Sequence, residues 1–124
     1  MNNRNTLLSG AIFMALAVLL GAFGAHALKN SLPAEMLAVY KTGVEYQFYH
    51  AIGLLIIGLL GFHLDSKWLR RSGLLLAVGI LLFSGSLYVL ALTGIKVIGA
   101  ITPIGGVSFV AGWVCLAIAV WKRV

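Results

Sequence analysis

Four long apolar stretches, 7–28, 44–64, 72–93 and 104–121, dominate this chain, and none of its nine Lys and Arg or three Asp and Glu residues lies deep inside one. A bilayer core of roughly 30 Å takes about 20 helical residues to cross, so each stretch is long enough to span once. A soluble helix would need a polar face. Here 61% of the residues are hydrophobic and the stretches are apolar nearly all round. The expected fold is therefore all-α: a polytopic membrane protein whose four transmembrane helices form two hairpins in one domain over residues 1–124.

The net charge of +6 does not point to nucleic acid, because the basic residues sit in ones and twos beside the helix ends and form no stripe. Counting four spans, Arg4, Lys67, Arg70, Arg71, Lys122 and Arg123 fall on one side. Lys29, Lys41 and Lys96 fall on the other, diluted by Glu35 and Glu45. The positive-inside rule then predicts cytoplasmic N- and C-termini. Trp68 and Trp121 lie among those inner cations, so Lys67, Trp68, Arg70, Arg71, Trp121, Lys122 and Arg123 read as membrane anchors, with anionic lipid as their partner. Ala25-His26-Ala27 has the form of a signal cleavage site, but the run before it is longer than a signal core and three more spans follow. The first helix is expected to be retained.

The connector 29–43 carries Pro33 and then Glu35, a helix-start pattern. It predicts a short helix over 33–41 lying on the outer surface, with Thr42-Gly43 as the bend into the second span. Small residues recur at Ala17, Gly21 and Ala25, and at Ser108 and Gly112. Such faces let helices approach closely within one chain, and they would also serve a homo-oligomer.

The segment Glu45-Tyr-Gln-Phe-Tyr-His50 places polar groups around most of a helix circumference. With His26, Tyr88 and Thr102 at nearby helix ends, it predicts a polar cluster roofing the outer mouth of the bundle, made by His26, Glu45, Tyr46, Tyr49, His50, Tyr88 and Thr102. Three roles fit it: mutual satisfaction at the interface, a pocket for a lipid or small molecule, or ligation of a metal or haem by His26 and His50, with Glu45 as a further metal ligand. Two histidines on separate helices, with no Cys beside them, are a weak metal pattern, and no cofactor is expected. Ser84 and Ser86 are the strongly polar pair near mid-membrane; they join the ligand-binding candidates and would also be the relevant residues of an oligomeric pore for a small solute. Cys115 is the sole cysteine, which rules out an internal disulfide. No phosphate loop, Ser-His-Asp set or zinc-protease motif is present, so the leading expectation is a non-enzymatic protein that binds a lipid or small molecule.

Taken in order, GAFGAHAL at 21–28, TGVEYQFYHA at 42–51, LFSGSLY at 82–88 with ALTG at 91–94, and TPIGG at 102–106 with Gly112-Trp113 resemble the YgdD/YwdK family of small bacterial inner-membrane proteins. The likeness spans essentially the whole chain. It implies four spans and a bacterial inner (plasma) membrane location, and no established activity.

Overall fold

The computed structural model describes residues 1–123. Four helices are long and apolar enough to cross a membrane: α1 (Asn3–Leu28), α2 (Ala34–Leu60), α3 (Lys67–Thr93) and α4 (Lys96–Arg123). Their ends follow local chemistry. Asn2 caps α1 through a side-chain oxygen that accepts from the Asn5 N–H at 2.8 Å. Ser66 caps α3 in the same way toward Trp68 and Leu69. The α3 helix stops at Gly94, whose φ of 71° is the only positive value among the described residues. The first turn of α4, Lys96–Ala100, is a 3-10 segment leading into the α-helix Thr102–Arg123.

The expected surface helix at 33–41 is corrected. Pro33 stands just outside α2, and from Ala34 the helix runs unbroken through Thr42 and Gly43 to Leu60. Gly43 needs no bend. It is buried against the Tyr88 ring, 2.8 Å from where a Cβ would lie, so its small size serves close packing of α2 on α3. The second span also ends earlier than 64, in a turn at Gly61–His63.

The helices stand in sequence order. α1 packs along α2, α2 along α3 and α3 along α4, while α1 touches α3 only marginally and shares no substantial contact with α4. Bilayer tails give no hydrophobic drive for this association, so close backbone approach and interhelical hydrogen bonds must supply it. Gly10 meets Leu55, Gly24 meets the Tyr40 ring, Gly79 meets the Phe109 ring and Gly112 meets Leu76. Buried Ala17, Gly21 beside Val44, and Ser108, which donates to the Leu75 carbonyl at 2.7 Å, face inward within the chain; Ala25 is exposed.

Two apolar clusters result. One gathers Leu54, Ile57, Leu76, Ile80 and Phe109 toward the basic face, and the other gathers Leu28, Tyr40, Val44 and Ala91 toward the opposite face. Short π-helical turns interrupt α1 at Gly24–Leu28 and α3 at Ile80–Ser84. The second coincides with a close backbone approach, where Gly105 of α4 lies against Phe83.

Candidate functional site: a polar bridge and a lateral groove around His50

The unbroken α2 changes the depth of the polar segment. Gln47 stands at the middle of this 27-residue helix, about 20 Å from either end. The residues expected to roof the outer mouth therefore divide among three places.

The first is a buried bridge through the centre. Gln47 donates from Nε2 to the Phe13 carbonyl of α1 at 2.7 Å, and its Oε1 accepts from the Tyr88 hydroxyl of α3 at 2.6 Å. One amide thus ties three helices. Nearby, Tyr40 donates to the Leu20 carbonyl at 2.5 Å and Ser84 to the Gly43 carbonyl at 2.7 Å. Ser86 and Thr102 share a 2.5 Å hydrogen bond that joins α3 to α4. Ser84 is fully buried and Ser86 nearly so, and both hydroxyls are hydrogen-bonded within the bundle.

The second place is a groove of about 790 Å³ open to the side between α2 and α4, with Phe83 of α3 at its floor. His50 is its one strongly polar side chain. The imidazole stacks on Phe109, with centroids 3.5 Å apart and planes within 10°, and Tyr46, Phe83 and Trp113 complete an aromatic wall. His50 is 6% exposed, and its Nδ1 lies 2.7 Å from the Tyr46 carbonyl. A carbonyl only accepts, so Nδ1 carries the proton, and in the neutral ring Nε2 is left as an acceptor. No donor among the described residues reaches that nitrogen.

The third place is outside the bundle. Glu45 is exposed beside Lys41 in a shallow groove between α1 and α2, and Tyr49 is 57% exposed. His26 is exposed on the π-helical turn of α1, at the level of Tyr40. Ten helical residues, about 15 Å, separate that level from His50, so the two histidines do not meet at one metal or haem. Among the described residues no three His, Cys, Asp or Glu side chains group as a metal site.

Sequence reasoning passed over Gln47, Phe83, Phe109 and Trp113 as site residues. For Gln47 the available signal was only an amide within the polar segment 45–50, since the expected span 44–64 put it near the outer end. The aromatics gave none, because each looks like an ordinary apolar residue of its own helix. Of the anchoring residues, Arg70 pairs with Asp65 at 2.6 Å. Trp121 is 83% exposed, and Lys67, Arg71 and Lys122 surround Trp68.

Apolar outer surfaces, interhelical hydrogen bonds and four spanning helices define an integral membrane protein of the four-helix class. The chain belongs to the family described as protein of unknown function (DUF423), whose model matches residues 20–106. It is 49% identical to the UPF0382 membrane protein SSP2132 of Staphylococcus saprophyticus, over 94% of this chain and 96% of that one. The UPF0382 membrane protein YwdK of Bacillus subtilis is 46% identical over 94% and 95% of the two chains. The UPF0382 inner membrane protein YgdD of Escherichia coli is 41% identical over 95% and 90%. No solved structure matches the chain.

Proposed function

We propose that this protein binds a membrane-dissolved amphiphile in the groove between α2 and α4, its polar end donating a hydrogen bond to His50 Nε2. The single observation behind this is a largely enclosed histidine with one nitrogen satisfied and the other, reachable from the groove, without a protein donor, set in an otherwise apolar, aromatic groove. A polar group held in such surroundings without a partner costs about 1–3 kcal/mol, which a ligand hydroxyl or N–H would recover. Flat aromatic walls suit a planar or isoprenoid body, and the lateral opening admits it from the bilayer rather than from water. The reading is non-enzymatic: beside His50 the groove's other titratable side chain is the Tyr46 phenol, and no carboxylate, Lys, Cys, Ser or Thr lines it.

His50→Phe keeps the stack on Phe109 and removes both nitrogens, while Val110→Trp fills the groove from its lipid-facing rim. Native mass spectrometry of protein released gently from its own membrane is expected to find a stoichiometric amphiphile on the wild type. Its occupancy should fall at least about tenfold in either variant, the equivalent of about 1.4 kcal/mol. Bare wild-type protein, or undiminished occupancy in both variants, would sink the proposal.

We also infer that the basic face is cytoplasmic. This rests on Arg4, Lys67, Arg70, Arg71, Lys122 and Arg123 lying together at that end of the helices. A cytoplasm-specific reporter at the C-terminus is expected to be active and a periplasm-specific one silent. The reverse pattern overturns the orientation.

A further inference from the structure

We infer that the junction of α3 and α4 at the basic face is a binding site for a phosphate group, supplied by the head of an anionic lipid. Lys67 and Arg71 at the start of α3 and Lys122 at the end of α4 approach one ring, that of Trp68, at 5.8, 5.1 and 5.4 Å from its centroid. Three like charges gathered about one indole repel one another, and cation–π attraction offsets this only in part.

No carboxylate among the described residues answers them. The one ion pair there joins Asp65 to Arg70, so the neighbouring arginine is neutralised and these three cations are not. The Trp68 indole N–H is, in addition, the only buried side-chain polar atom among the described residues without a partner. The cluster is rich in donors and short of acceptors. A phosphate, with several acceptor oxygens and negative charge, is the complementary group.

What lies beside the cations favours a lipid as the source. A groove of about 380 Å³ runs along Trp68, Ile118 and Trp121, with Lys122 at its edge. A phosphodiester on the cations would send an acyl chain along that apolar wall, whereas a free phosphate would leave the wall unused. The site is separate from the His50 groove and does not depend on it.

The test compares full-length protein in zwitterionic phosphatidylcholine nanodiscs with the same discs containing phosphatidylglycerol, and with inorganic phosphate added to the former. Wild-type protein is expected to gain several degrees in melting temperature from phosphatidylglycerol only. Native mass spectra should show it retaining phosphatidylglycerol over phosphatidylcholine by about tenfold or more, given three basic contacts. The triple variant Lys67→Gln, Arg71→Gln, Lys122→Gln should lose both effects. Arg70→Gln, which removes a charge already paired, should keep them. A single Lys122→Gln with reduced lipid retention gives the same answer if the triple variant does not fold. Equal retention of the two lipids by wild type, or an Arg70→Gln loss matching the triple, overturns the site; an equal response to inorganic phosphate overturns the lipid source.

Discussion

Gly105→Val is expected to unfold or rearrange the bundle, with a loss of about 3 kcal/mol or more. A Cβ at Gly105 would overlap the backbone nitrogen of Phe83, and it would lie 2.7 Å from Phe83 Cα and 2.8 Å from Phe83 Cβ. Overpacking usually costs about 1–3 kcal/mol because side chains can move aside. Here the obstacle is backbone, in the π-helical turn of α3, and it has no rotamer to change. Two neighbouring glycines serve as controls. Gly106 is in ordinary contact with the Phe83 ring at 3.8 Å, and Gly85 has open space around it. Alanine at either should change stability by less than about 1 kcal/mol, or stabilise slightly through helix propensity. Thermal melts in detergent decide the matter: a Gly105→Val protein that melts with wild type would mean that the close contact of α3 with α4 is not what holds them together.

Gln47→Leu has the next largest expected effect, a loss of about 2 kcal/mol. The substitution fills most of the same volume and deletes both bonds, to Phe13 on α1 and to Tyr88 on α3. Interhelical hydrogen bonds in membranes average only about 0.6 kcal/mol each. The larger part of the loss comes from the Tyr88 hydroxyl, left without its acceptor in the bundle interior. Removing that hydroxyl as well should therefore repair some of the damage. The double variant Gln47→Leu, Tyr88→Phe is expected to be more stable than Gln47→Leu alone, with a coupling of about 1 kcal/mol between the two sites. Strictly additive losses in an unfolding titration would show that the amide and the phenol do not act as a pair.

The four crossings were legible because hydropathy integrates over some twenty residues and tolerates local exceptions. Depth was not. Pro33, Glu35 and the Thr42-Gly43 pair made the first turns of α2 look like a separate surface helix, yet one helix runs from Ala34 through Thr42 and Gly43 without a break. That continuity moved His50 from an expected outer roof to near the middle of the helix, three residues from Gln47. His50 was singled out from sequence as a candidate, and its isolation from His26 could not be read there, since the pairing of spans in space is a tertiary fact. The groove around His50 was invisible for a related reason. Phe83 and Phe109 come from different helices, and only their convergence gives either one a role. The Ser86 to Thr102 bond was not anticipated, because Ser86 read as mid-membrane and Thr102 as part of the outer roof.

Sequence neighbours are also spatial neighbours throughout this bundle, from α1 to α4. For a protein threaded into a membrane during its synthesis, this means that each new helix enters beside the partner it will keep. No helix need wait for a distant one, and no early pairing must be undone to admit a later one. Chain closure is confined to short connectors, where its entropic cost is smallest. The order of translation can thus serve as the order of assembly, a frugal arrangement for a chain with only one hairpin to add to another.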